Sequence, residues 1–159
     1  MDDKIIHLKK RTKADMVCSL IIAVIAICVA VLQFVTYVST EGTNVAYLTN
    51  GIYALFAFGV TLILFLMLLE VHKNGKPFSK RIINELRVLA VFVIIGGIIP
   101  NALTTVIHNE IYRLDSQIDI EMVLCAKNVI ISLIGVVIGI VSEIFIYGYE
   151  LQDDMDLIA

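Results

Sequence analysis

Four long apolar stretches constrain the fold of this chain more than any motif does. They predict membrane spans at about 16–38, 48–70, 88–107 and 128–149. A helix needs about 20 apolar residues to cross the hydrocarbon core of a bilayer, and each stretch reaches that length. Backbone amides find no water inside lipid, so each span is expected to be an α-helix. The sequence therefore predicts an all-α fold, a four-helix transmembrane bundle formed by a single integral membrane domain over residues 1–159.

Composition excludes several classes of protein. Of the 159 residues, 59% are hydrophobic and 17% are charged. Soluble domains are typically about 45–50% apolar and about 25% charged. A soluble fold of this size could not bury so much apolar surface in one core. The composition argues against a typical soluble enzyme, a nucleic-acid-coating protein and a disordered chain, and it makes membrane lipid an expected partner.

The positions of Lys and Arg predict the orientation of the spans. Five of these residues precede the first span and five lie between the second and third spans. The other two connections hold only Arg113 and Lys127. Cytoplasmic connections carry an excess of Lys and Arg. Both termini and the middle connection are therefore expected on the cytoplasmic side.

The middle connection predicts a helix that begins outside the lipid. Ser79 is a good N-cap, so the third helix is expected to start near it. The first two turns would then present Arg81, Asn84 and Arg87 as candidate partner-binding residues. A docking surface for a protein or an anionic headgroup and a plain positive-inside anchor both fit this pattern.

The C-terminal segment is both acidic and apolar. Leu151, Met155 and Ile158 fall on one helical face, and the opposite face is acidic. The segment either packs against the basic middle connection or is offered to a partner. Its candidate partner-binding residues are Glu150, Leu151, Asp154, Asp156 and Leu157.

These two segments together resemble the bacterial membrane family called domain of unknown function 2975. The matching residues of the middle connection are Gly75, Pro77, Phe78, Asn84, Leu86 and Arg87, and those of the C-terminal segment are Glu150, Leu151, Gln152, Asp156, Leu157 and Ile158. The family pattern has a Thr between the last two, which this chain lacks. The resemblance implies a multi-pass protein of the bacterial plasma membrane with no established activity. The family's genes often neighbour one for a small helix-turn-helix regulator, which implies a protein that controls or sequesters such a partner.

Two polar residues inside predicted spans, Glu143 and Gln33, are candidates for a specific role. Glu143 is the only charge in the fourth span, about six residues or roughly 9 Å from its cytoplasmic end. An ionisable residue there suggests either a proton or cation site or an ion pair with Arg87 or Lys80. Gln33 in the first span is expected to hydrogen-bond across helices.

Small residues mark one face of the fourth span. Gly135 and Gly139 form a GxxxG pattern, which lets helices approach closely. The pattern fits packing within one bundle and also fits the contact face of a homo-oligomer.

The sequence carries no signature of catalysis, cofactor binding or metal binding. The three His and three Cys are scattered, and no motif of a hydrolase, metalloprotease or phosphate loop is present. We therefore expect no enzyme, no cofactor and no direct nucleic-acid binding. The expected function is a signalling or regulatory protein that engages a cytoplasmic partner. A small transporter or channel subunit using Glu143 and a structural subunit of a membrane complex are the alternatives.

Overall fold

In a computed structural model, the backbone is described for residues 2–74, 79–112 and 125–158, and the side chains for residues 10–73, 79–111 and 125–151. Four helices account for nearly all of these residues. They are α1 (Asp2–Ser39), α2 (Val45–Asn74), α3 (Lys80–Tyr112) and α4 (Ala126–Ile158). Each contains a segment long and apolar enough to cross a membrane. The predicted all-α fold with four membrane-spanning helices is therefore confirmed.

The turn between α1 and α2 makes these two helices an antiparallel hairpin. Gly42 N donates to Tyr37 O at 3.0 Å, and Glu41 N donates to Val38 O at 3.1 Å. These bonds satisfy the last carbonyls of α1 in a Schellman arrangement. Glu41 occupies the left-handed position of that motif with φ 52°. Asn44 then caps α2, since its Oδ1 accepts a hydrogen bond from Ala46 N at 3.1 Å.

The helices pack in chain order, and neighbours run antiparallel. The most extensive packing joins α1 to α2 and α3 to α4, and α2 packs less extensively on α3. We call the end formed by the start of α1, the end of α2, the start of α3 and the end of α4 the termini end. The opposite end, where α1 meets α2 and α3 meets α4, is the loop end. The cytoplasmic location expected for the termini end remains a prediction.

Helices α3 and α4 approach each other through small residues. A Cβ built on Gly97 would lie 2.7 Å from Asn128 O, and one built on Gly135 would lie 2.8 Å from Ile94 N. Ser132 Oγ donates to Ile94 O at 3.2 Å across the same contact. The absence of side chains at the two glycines is therefore what allows the backbones to come this close.

Phenyl rings separate α2 from α3. Phe56 and Phe92 stack with their centroids 5.1 Å apart. A Cβ on Gly59 would lie 2.6 Å from the Phe92 ring, and one on Gly96 would lie 2.9 Å from the Phe56 ring. Each ring thus sits over a glycine of the facing helix, and α2 stands further from α3 than α4 does.

The helices extend beyond the predicted spans at both ends of every helix. Helix α3 begins at Lys80. Ser79 is its N-cap, as predicted, since Ile82 N donates to Ser79 Oγ at 3.3 Å. Helix α4 continues to Ile158, nine residues past the predicted end of its span. Flanking polar residues have no strong hydropathy signal, so the apolar pattern alone underestimates helix length.

Candidate functional site

Charged residues of α2, α3 and α4 meet at the termini end. Arg81 connects α3 to α2, since its Nη1 lies 3.1 Å from Glu70 Oε2. Its Nε also donates to Glu85 Oε1 at 3.1 Å, one turn further along α3. One guanidinium therefore contacts two carboxylates, whose side chains are largely buried while that of Arg81 is 65% exposed. The second oxygen of Glu85, Oε2, is buried without a hydrogen-bond partner among the described residues.

A second ion pair connects α3 to α4. Arg87 Nη2 donates to Glu143 Oε1 at 3.0 Å. Both side chains are about half exposed on the outside of the bundle. Lys80, the other cation considered for Glu143, instead places its ammonium 5.6 Å from the centre of the Tyr149 ring. A carboxylate in a span is costly unless it is paired, and Arg87 supplies the pair.

The end of α4 leaves an exposed apolar surface beside these ion pairs. Tyr147 is 73% exposed and Leu151 is 64% exposed, one turn apart. Glu150 between them is exposed as well, and so is Asn84 on α3. The backbone of residues 152–158 continues the helix. The side chains of Asp154, Asp156 and Leu157, predicted to bind a partner, lie outside the described residues.

The three other predicted polar or packing residues differ in how closely they contact neighbouring helices. They are Gln33, Gly135 and Gly139. Gln33 Oε1 is buried and has no hydrogen-bond partner in the described part of the chain, so the expected bond across helices is not made by that atom. Gly135 lies in the close contact with α3. Gly139 lies at an ordinary distance, since its Cβ would be 3.7 Å from Ala90 Cβ.

A chain with these four spans and this charged termini end also matches a known protein family. The family model described as protein of unknown function (DUF2975) matches residues 34–158. The chain belongs to the DUF2975 family. No curated protein and no solved structure matches the chain. The resemblance seen in the sequence is therefore confirmed, and it identifies the family without assigning an activity.

Three motif residues that carried the resemblance to DUF2975 meet different surroundings on α3. Leu86 is buried against the bundle, Arg87 pairs with Glu143, and Asn84 is exposed. The Gly75, Pro77 and Phe78 part of the motif lies outside the described residues. In this DUF2975 protein the α3 motif thus combines one packing residue, one interhelical ion pair and one exposed polar side chain.

The loop end of this DUF2975 protein holds polar contacts that the sequence did not predict. Tyr37 Oη and His108 Nδ1 share a hydrogen bond of 3.0 Å between α1 and α3. Tyr53 Oη donates to Asn128 Oδ1 between α2 and α4, and Lys127 Nζ lies 4.0 Å from the centre of the Tyr53 ring. The sequence feature that could have indicated these contacts is the position of the tyrosines near span ends, because a tyrosine ring has an apolar body and a polar tip.

These contacts offer no candidate site for a metal ion or a cofactor. In residues 10–73, 79–111 and 125–151, no three His, Cys, Asp or Glu side chains lie together in a way that could hold a metal ion. Cys18, Cys28 and Cys125 are free thiols. The termini end presents charged and apolar side chains, among them Arg81, Glu150 and Leu151.

Proposed function

We propose that this protein is a membrane-embedded regulatory protein that binds a cytoplasmic protein through its termini end. The proposal includes a cytoplasmic location for both termini, as the distribution of Lys and Arg predicts. The observation that carries it is the uncovered end of α4. Tyr147 and Leu151 are 73% and 64% exposed, and the helix continues past them to Ile158.

The ion pairs of α3 bear on whether the basic residues of the middle connection require the acidic tail as a partner. Arg81 is engaged by Glu70 and Glu85, and Arg87 is engaged by Glu143. These basic side chains therefore have carboxylate partners within the bundle and do not need the acidic tail. Of the two alternatives for that tail, presentation to a partner has more support than packing against the basic connection.

The chemistry of the tail defines the partner. An amphipathic helix with one apolar and one acidic face binds a groove that is apolar inside and basic at its rim. The small helix-turn-helix regulator implied by the family resemblance is the first candidate, because DNA-binding proteins carry basic surfaces. Occupation of that surface by the tail would compete with DNA.

Neither alternative function has comparable support. Glu143 is paired with Arg87 on the outside of the bundle, and it lines neither the cavity beside Cys18 and Ser19 nor the one beside Phe56 and Phe92. No observation therefore favours transport through Glu143. Gly135 is covered by α3 and is unavailable as a contact point for a structural partner.

The test is a pull-down from the native host in mild detergent, followed by mass spectrometry. The full chain is compared with a chain truncated after Tyr149 and with Leu151→Ser. Ile111→Ser is the matched control, because Ile111 is a similarly exposed apolar residue (58%) near the end of α3 at the loop end. We expect a DNA-binding protein with the full chain and the control, and not with the truncated chain or Leu151→Ser. Recovery of no such protein, or equal recovery by all four chains, would contradict the proposal.

A further inference from the structure

A cavity lies between α2 and α4, outside the termini end. It has a volume of about 410 Å³ and is floored by α3 at Phe92, Val93 and Gly96. Its walls are mainly Ala57 and Val60 on α2 and Ile131, Ile134 and Ile138 on α4. The volume falls within the range of about 300–1,000 Å³ that is usual for small-molecule sites. We call this cavity the α2/α4 cleft.

The cleft follows from how the helices are spaced. Helix α4 lies close to α3 because Gly97 and Gly135 allow backbone contact, whereas the Phe56 and Phe92 rings hold α2 away. Helix α3 packs against both α2 and α4, but no comparable packing joins α2 to α4 in the described residues. The two outer walls therefore stand apart over the α3 floor. Ile134 is 51% exposed, so the cleft opens sideways toward the bilayer.

One end of the cleft is polar and carries a positive charge. Tyr53, which lines the cleft, donates a hydrogen bond to Asn128 and so ties α2 to α4 there. The Lys127 ammonium lies 4.0 Å from the centre of the Tyr53 ring, and the Lys127 side chain is exposed. An ammonium has three donors, and a ring contact leaves them able to bind an anion.

The distance from Lys127 to the far end of the cleft matches one leaflet. From Lys127 to Ile138 is eleven residues along α4, which is about 16 Å at 1.5 Å per residue. The hydrocarbon core of a bilayer is about 30 Å thick, so one leaflet is about half of that. A molecule with its charged group at Lys127 and an aliphatic chain reaching Ile138 would thus lie at the depth of an ordinary lipid.

We propose that the α2/α4 cleft binds one acyl chain of an anionic phospholipid, with the phosphate at Lys127. The apolar walls exclude a polar occupant, the sideways opening admits a chain from the bilayer, and the lysine favours a negative headgroup. Binding at this site is independent of the termini end and of any cytoplasmic partner.

The test uses the full chain in nanodiscs that contain equal amounts of phosphatidylglycerol and phosphatidylcholine. Native mass spectrometry then counts the lipids that each released protein retains. We expect one phosphatidylglycerol retained in preference to phosphatidylcholine. Lys127→Gln should lower that preference about fivefold, which corresponds to about 1 kcal/mol for one lysine near an anionic group, and Lys127→Arg should keep it. Lys73→Gln is the matched control, because Lys73 is exposed at the termini end.

A second variant tests the cleft itself. Ala57→Phe places a ring in the cleft and should remove the retained lipid, whereas Ala14→Phe, at an exposed alanine of α1, should not. A monomer peak and an unchanged melting temperature show that each variant is folded. The proposal is overturned if Lys127→Gln leaves the preference unchanged, or if Ala57→Phe retains lipid as the control does. It is also overturned if added long-chain fatty acid occupies the cleft in place of phospholipid at equal amounts.

Discussion

Arg87 and Glu143 form an ion pair of 3.0 Å that joins α3 to α4 on the outside of the bundle. Both side chains are about half exposed, so the pair is neither a deeply buried charge nor part of an enclosed site. It connects two adjacent antiparallel helices near the termini end. Glu143 therefore has a structural role that accounts for a carboxylate in a span.

The strength of this pair is the first prediction. Because the pair joins two helices near the end of a span, a double-mutant cycle of Arg87→Gln and Glu143→Gln should give a coupling energy of about 0.5–2 kcal/mol, as for polar contacts between membrane helices. The measurement is equilibrium unfolding in SDS from a mild-detergent state. The exchanged pair, Arg87→Glu with Glu143→Arg, should recover most of the loss. A coupling energy of zero would show that the two side chains act independently.

Two glycines on α4 should respond differently to the same substitution. Gly135→Ala should cost about 1–3 kcal/mol, because the new Cβ would lie 2.6 Å from Ile94 Cγ1 and 2.8 Å from its backbone nitrogen. Gly139→Ala has space at 3.7 Å from Ala90 Cβ and should be neutral, or stabilising by up to about 1 kcal/mol through helix propensity.

Unfolding in SDS and size-exclusion chromatography separate the two explanations of the GxxxG pattern. Packing within the bundle lowers stability in Gly135→Ala without changing the oligomeric state. Loss of an oligomer in Gly139→Ala with unchanged stability would instead indicate a contact between copies of the chain.

These glycines also show what the sequence could and could not predict. Hydropathy set the number of helices, and the cost of an unpaired charge indicated that Glu143 needed a cation such as Arg87. Spacing within α4 indicated Gly135 and Gly139 equally, yet the close contact with α3 involves Gly135 and Gly97. Which glycine faces a neighbour depends on how each helix is rotated, and the periodicity of one helix does not contain that information.

The same reason explains the contacts that sequence reasoning missed. Arg81 with Glu70 and Tyr37 with His108 each join residues on different helices. Their pairing depends on the register between helices, which is set by packing along their whole length. A preference of tyrosine for span ends predicts the depth of the ring but not the identity of its partner.

Orientation in the membrane is a third prediction. Alkaline phosphatase fused after Glu41 should be active, because that turn is expected outside, and the same enzyme fused after Ala159 should be inactive. Green fluorescent protein at the same two positions should give the opposite result, since it fluoresces only when folded in the cytoplasm. Activity of phosphatase at the C-terminus would place the termini end outside and would remove the proposed cytoplasmic partner.

The hydrogen bond between Tyr53 and Asn128 supports a fourth prediction. Asn128 is 1% exposed, and the Tyr53 hydroxyl is a donor to its Oδ1 from another helix. Tyr53→Phe should lower the free energy of unfolding by about 1–2 kcal/mol, because a buried acceptor loses a partner. Tyr47→Phe is the control on the same helix, since no hydrogen bond of the Tyr47 hydroxyl is seen within the described part of the chain. Equal stability of the two variants in SDS unfolding would show that the hydroxyl contributes nothing to the contact between α2 and α4.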